Sequence, residues 1–240
     1  MTSIFERTEL LIGREGLAKL AAGKVAVIGL GGVGSFTAEA LARAGIGSLL
    51  LVDHDTVSVS NINRQLHALT NTVEKPKTTV MAERLQGINP HLKLETRQRK
   101  FTSEAAAELL GGQLDFVVDA IDDIENKTAL LVYCVNRQIP VISAMGAGNK
   151  LDPTSFKVES IWNTKVCPLA RTMRKKLRAA GVSEHIPVVY STARPIVTNT
   201  DFEERPVPGS ISFVPPVAGL YMAGYVVDKI LLLGVFNNMN

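Results

Sequence analysis

Cysteine is nearly missing from this chain: there are two in 240 residues, Cys134 and Cys167. They form no C-x-x-C pair, which argues against both a disulfide framework and a cysteine-built zinc site. Charge of one sign is scarce as well, because 26 Lys and Arg face 23 Asp and Glu for a formal net charge of +3. So small an excess does not mark a nucleic-acid partner by itself, although local clusters still matter. The start, MTSIFERTEL, carries two acids and no apolar segment, so it does not read as a secretory signal. An uninterrupted apolar run of membrane length is also lacking. The nearest approach, VAGLYMAGYVVDKILLLGV at 217–235, has Asp228 and Lys229 inside it and reads as a core or dimer-interface helix. A cytoplasmic protein with no membrane partner is expected.

What is present is the material of one folded core, with hydrophobic residues at 46% and charged residues at 20%. Apolar runs and helical segments alternate through residues 1–150. KVAVIGL (24–30), SLLLVD (48–53), LKLETRQ (92–98), LDFVVDA (114–120) and PVISAMG (140–146) read as strands. Between them, helices are predicted over Ser35–Ala44, 75–89, 103–110 with Ser103 as N-cap, and 125–138. This alternation predicts a doubly wound, Rossmann-like α/β fold, its sheet mainly parallel with helices on both faces. Residues 151–240 form a C-terminal elaboration within the same single domain. FKVESIW (156–162) and VVYST (188–192) read there as strands and PLARTMRKKLRAAG (168–181) as a basic helix. Residues 193–213, with three prolines, read as a mobile loop.

Residues 27–38, VIGLGGVGSFTA, place Gly29, Gly31, Gly32 and Gly34 between a strand and a helix. Such glycines let the backbone turn tightly and approach phosphate, with N–H groups at the helix start facing an anion. Asp53 ends the next strand, where a carboxylate can hydrogen-bond ribose hydroxyls. A redox dinucleotide and ATP both satisfy this much.

The following segment separates them. DHDTVSVSNINRQLH (53–67) and EKPKTTV (74–80) add Asp55, Asn61, Arg64, Gln65 and Lys77. This polar and cationic set suits a triphosphate, whose displacement gathers charge that Arg and Lys can neutralise. Asp119 and Asp122, in VVDAIDD at the carboxyl end of a strand, offer oxygen to Mg²⁺. Taken singly, Arg64 or Lys77 would be a solvated charge and Asp122–Asp123 a helix cap. Taken in order, they point to ATP.

These strings, GxGGxG, LVDHDTVSVSNINRQ, KPK and DAIDD, resemble the ubiquitin-activating (E1-like, ThiF-type) adenylation superfamily over residues 7–150. The resemblance implies an enzyme that uses ATP and Mg²⁺ to turn a carboxylate into an acyl-adenylate, releasing pyrophosphate. It implies that Asp53 holds the ribose, that Asn61, Arg64, Gln65 and Lys77 hold the triphosphate, and that Asp122 holds the metal. Arg7 matches an arginine that reaches into a partner subunit's site, which implies a homodimer; without the resemblance, Arg7 is a plain surface charge.

AEALARAGIGSLLLVD, NRQLHAL, VMAERLQGINP and GAGNKLDPTSFKVE further resemble the tRNA threonylcarbamoyladenosine dehydratase branch, to about residue 160. That branch adenylates the threonine carboxylate of the modified adenosine at tRNA position 37 and closes a ring with loss of AMP. Intramolecular attack needs positioning more than a protein nucleophile, which suits a chain so poor in cysteine. The other reading keeps the adenylation but makes the substrate the C-terminal glycine of a ubiquitin-like sulfur carrier; a sulfur-transfer protein is a separate candidate partner. A tRNA would give Arg171, Arg174, Lys175, Lys176 and Arg178 a purpose as a phosphate-binding helix face, with Arg194 and Arg205 of the loop nearby. A solvated face explains the same helix equally well.

Overall fold

The computed structural model describes residues 3–196 and 208–236. Its apolar runs form seven strands: β1 (Lys24–Ile28), β2 (Ser48–Val52), β3 (Lys93–Arg97), β4 (Phe116–Asp119), β5 (Val141–Ala144), β6 (Phe156–Ser160) and β7 (Pro187–Ser191). They join in one sheet in the order β3-β2-β1-β4-β5-β7-β6. All pairs are parallel except β6 with β7. Strands β1, β2, β4, β5 and β7 alternate between two apolar layers, while the edge strand β3 is mostly exposed. Val25 and Val27 of β1 face a cluster with Leu41 of α2 (Gly34–Ala44), Leu85 of α3 (Lys77–Ile88) and Met222 of α7 (Val214–Leu231). Ala26 and Ile28 face another, with Leu109 of α4 (Ala106–Leu110), Leu130 of α5 (Ile124–Asn136) and Met173 of α6 (Pro168–Ala179). A period-two strand with both faces apolar can only be buried between helices, so the doubly wound Rossmann-like architecture follows.

The strand order reverses between β1 and β4, which opens a crevice at their carboxyl ends. Gly29 and Gly34 make that crevice possible. Gly29 has φ +92°, and a Cβ on it would lie 2.7 Å from the Ala120 carbonyl; one on Gly34 would lie 1.8 Å from the Gly29 carbonyl. Neither position admits a side chain, so the first turn of α2 packs directly on β1.

One helix lies where none was expected, and three local expectations are corrected. The first helix, α1 (Glu6–Ala22), has no clear sequence signature. It kinks at Gly13 (φ +70°), burying Leu20 while leaving Leu10 and Leu11 exposed, so no single apolar stripe runs along it. Ser103 does not cap α4: its hydroxyl donates to Glu104 (2.6 Å), and the helix begins later, at Ala106. Residues 156–162 are not all strand, because 161–163 turn into a short 3₁₀ helix. The apolar segment placed at 217–235 begins at Val214, with Pro215 and Pro216 in its first turn, and ends at Leu231. Asp228, buried there, accepts a hydrogen bond from the Val235 N–H (2.7 Å) and ties down the chain after the helix. No described helix is long and apolar enough to cross a membrane.

Candidate active site

The crevice at the switch point is a cavity of about 420 Å³. Its floor is the glycine loop, where Gly31 faces open space: the nearest atom to a Cβ built there is Gln65 Nε2, 4.0 Å away. A phosphate can therefore meet bare backbone at this point. Asp53, Asp55, Asn61, Arg64, Gln65 and Lys77 all line the same cavity, as does Asp122 from across the switch point. One pocket thus collects every nucleotide residue expected except Gly34, which packs beneath it.

The connection from β2 to α3 supplies most of these groups, and its own polar contacts hold it in place. Asp53, buried at the end of β2, accepts from the Leu30 N–H (2.6 Å) and the Asp55 N–H (2.8 Å), fastening the glycine loop to β2. Its carboxylate is therefore a scaffold as well as an acceptor with lone pairs to spare. Asn61 Oδ1 accepts from the Ser58 N–H (3.1 Å) and caps the short turn that presents Arg64. Lys77, the first residue of α3 and 5% exposed, donates to Asp55 Oδ2 at 2.7 Å. Burial acts to raise the Asp55 pKa, but the hydrogen bond and charge of Lys77, with His54 and Lys100, outweigh it and hold the carboxyl below its ordinary range. Arg64 Nη1 donates to the Ser60 carbonyl (2.8 Å) and Asn63 Oδ1 (2.9 Å). Its Nε and Nη2 groups have no partner among the described residues. Gln65 Nε2 is the atom nearest the space over Gly31 and offers its N–H groups to an anion there, while Oε1 is sealed from solvent with no hydrogen-bond partner among the described residues.

The two acids of VVDAIDD part company. Asp119 is completely buried, 2.9 Å from Lys127 Nζ, accepting also from Ser143 Oγ (2.6 Å) and the Ile121 N–H (3.1 Å). It is therefore unavailable to a metal, which corrects half of the Mg²⁺ expectation. Lys127, on α5, also donates to the Ile121 carbonyl (2.8 Å), so this pair shapes the turn that carries Asp122. Asp122 is exposed with no partner among the described residues, and the neighbouring Asp123 caps α5 through the Asn126 N–H (2.8 Å). Asp53, His54 and Asp55 also present ligand atoms within 4.8 Å of one another, but Lys77 already occupies Asp55. Asp122 is the freest carboxylate in the cavity.

Several cavity residues lie outside the sequence expectation. Arg99, Lys100 and Phe101 line it from the carboxyl end of β3, and Ala147, Gly148, Pro208 and Ser210 form the wall facing the β2–α3 connection. The string RQRKF straight after a parallel strand was their signal, since ligands of such sheets gather at those ends. Of the far wall, Ala147 and Gly148 fall in the string GAGNKLDPTSFKVE, whereas Pro208 and Ser210 carry no motif. Arg7 is exposed on α1 and does not line its own chain's cavity.

The basic helix is less free than its spacing implies. Arg174 turns inward and donates to the Thr164 carbonyl (3.1 Å) and hydroxyl, fixing the 161–164 turn. Lys176 pairs with Glu125 (2.5 Å), and the Arg178 guanidinium lies 5.3 Å from the centre of the Trp162 ring. Arg171 and Lys175 project into solvent. Cys134 packs in the core, where burial and the charge of Asp119 push its pKa up to about 12, and Cys167 is 3% exposed. Neither is placed as a working thiol. Arg194 is exposed, whereas Arg205 lies outside the described residues.

Comparison with known proteins agrees with this geometry. The Bacillus subtilis tRNA threonylcarbamoyladenosine dehydratase is 44% identical over 239 residues, covering 95% of this chain and 94% of that one. The crystal structure of the Escherichia coli tRNA N6-threonylcarbamoyladenosine dehydratase in complex with ATP superposes with a TM-score of 0.90 at 34% identity, covering 96% and 94% of the two chains. A Haemophilus influenzae molybdopterin-synthase adenylyltransferase is 38% identical, but over only 54% of this chain. The ThiF family model matches residues 5–239. The chain belongs to the ThiF family.

Proposed function

We infer that this chain is an ATP-dependent tRNA threonylcarbamoyladenosine dehydratase built as one adenylation domain. The observation that carries the reading is the single cavity joining the glycine loop, Arg64, Gln65, Lys77 and Asp122, in a chain that is 44% identical to a named dehydratase over nearly its whole length. ATP fits what the cavity offers: open space over Gly31, the Gln65 NH₂ beside that space, and N–H groups of Arg64 without a partner among the described residues.

The residues divide the work. Gly31, Gly32 and the first turn of α2 receive phosphate on backbone N–H groups, and Asp53 takes the ribose. Arg64 and Lys77 neutralise the charge that builds as a carboxylate oxygen of the substrate bonds to the α-phosphorus and pyrophosphate leaves. Lys77 must partly release Asp55 to do so. Asp122 would hold Mg²⁺, which when bound supplies a counter-charge to the phosphates. The carbamoyl group on the same nucleoside then closes on the activated carbon, AMP departs, and the nucleoside has lost one water. That step asks the protein for alignment and exclusion of bulk water, which the walls of the cavity provide.

A homodimer belongs to this reading. Ile4, Leu10 and Leu11 on the α1 side are 62%, 83% and 87% exposed and Leu220 on α7 is 51% exposed, an apolar surface that a second copy would cover. Arg7 on the same helix would then reach the partner's cavity. Arg171, Lys175 and Arg178 are the residues of α6 left to meet tRNA phosphate, and the enzyme would work in the cytoplasm.

Adenylation of a carrier protein's C-terminal glycine is the second reading, favoured by matches over little more than half of the chain, such as that to the molybdopterin-synthase adenylyltransferase. ATP–pyrophosphate exchange separates the two. Exchange driven by tRNA bearing threonylcarbamoyladenosine supports the dehydratase; exchange driven only by a ubiquitin-like carrier overturns it.

A further inference from the structure

The wall facing the nucleotide residues is assembled by asparagines. Asn149, in the left-handed region at φ +55°, accepts at its carbonyl from the Ile196 N–H (2.7 Å). It meets Gly209 twice, donating its N–H to the Gly209 carbonyl (2.8 Å) and accepting at Oδ1 from the Gly209 N–H (2.6 Å). Pro208 lies so close to Gly148 that a Cβ there would stand 2.9 Å from the proline Cβ. This holds Pro208–Ser210 along the cavity. A second asparagine joins it to the opposite side. Asn63 Nδ2 donates to the Ser210 carbonyl (3.0 Å), while Asn63 Oδ1 accepts from Arg64 Nη1 (2.9 Å). The Ser60 carbonyl takes the other Nη1 proton (2.8 Å), so that nitrogen is spent on orientation and Nε and Nη2 are left for a ligand.

We propose that Asn63 is a positioning residue for adenylation, fixing the Arg64 guanidinium and tying it to the Pro208–Ser210 wall that the incoming carboxylate must follow. This rests on the adenylation reading given above. Asn63 is exposed, and exposed neutral hydrogen bonds contribute little to stability. Their effect here is on direction: one amide, with one acceptor and one donor engaged, keeps the phosphate contact and the substrate wall in register. No other side chain of this size serves both ends, since aspartate has no donor for the Ser210 carbonyl and alanine has neither group.

Two variants of the full-length protein separate the two ends. Asn63→Asp keeps an acceptor for Arg64 and loses the tie to Ser210. It should raise KM for the modified tRNA by about tenfold with KM for ATP nearly unchanged. Asn63→Ala should in addition lower kcat by roughly 10-fold to 10²-fold, as misplacing a catalytic group does. Both should melt like the parent chain, and in both the backbone amides of residues 209–213 should exchange with D₂O faster than in the parent. Parent-like kcat and KM in Asn63→Ala, or unchanged exchange at 209–213 in both variants, overturns the proposal. The exchange measurement needs no turnover. If the parent protein forms no AMP with the modified tRNA, the substrate reading falls, while exchange at 209–213 still decides whether Asn63 holds the wall.

Discussion

Arg64 and Lys77 stand on the same connection but carry different structural loads. Arg64 is held only by a carbonyl and an exposed amide, so Arg64→Ala should leave the melting temperature near that of the parent while lowering AMP formation by about 10²-fold or more. AMP formation at the parent rate would remove Arg64 from the phosphate site. His67 shows how this connection meets pH. It is 1% exposed with neither ring nitrogen hydrogen-bonded, and burial, then the charges of Lys77 and Arg84, push its pKa down to about 4. A lowered folded-state pKa means that the unfolded chain binds the proton first as pH falls below the ordinary 6.5. Stability from this group is therefore complete above pH 6.5 and drains away as pH falls toward 4, with roughly 2 kcal/mol gone by pH 5. In His67→Gln the acid limb of a melting-temperature profile should flatten across that window; an unchanged slope would contradict the assignment.

At the scale of elements, α5 and α6 carry the clearest tests. Lys127 reaches from α5 to Asp119 at the end of β4, both completely buried, and the same lysine holds the turn before Asp122. Lys127→Met strands a buried carboxylate and should cost about 3–5 kcal/mol in urea unfolding, whereas Lys127→Met with Asp119→Asn should regain much of it. A loss below about 1 kcal/mol in the single variant would deny the pair its role. On α6, reversing the charges of Arg171, Lys175 and Arg178 should weaken tRNA binding and flatten its salt dependence without changing ATP binding. Unmoved tRNA affinity would make the helix a solvated face. Arg174 belongs in no such variant, because it anchors the 161–164 turn. That distinction also marks the limit of sequence spacing: i, i+3, i+4, i+7 puts Arg174 on a face with its neighbours but does not reveal a carbonyl waiting beneath it. The strands and their mainly parallel pairing were readable because apolar runs alternating with helical segments have few other solutions. The helix α1 was not, because a left-handed glycine breaks its stripe. The residues that line one side of the cavity were readable because one contiguous connection carries them. Pro208 and Ser210 of the opposite wall were not, because tertiary contacts alone bring them there.

For the whole molecule, a switch-point cavity, a proposed dimer and one overall reaction belong together. If Arg7 completes the partner's cavity, Arg7→Ala mixed with inactive Arg64→Ala should recover up to about a quarter of parent activity, because a mixed dimer holds one intact cavity in half of the pairs formed. No recovery from subunits shown to exchange would place Arg7 outside the site. The central claim is the reaction itself. Single turnover of the protein with Mg·ATP and tRNA carrying threonylcarbamoyladenosine, followed by AMP release and nucleoside mass, tests it most directly. The account predicts one AMP per nucleoside converted and a product lighter by one water. ATP bound in the cavity with no AMP released and no change in nucleoside mass would contradict it.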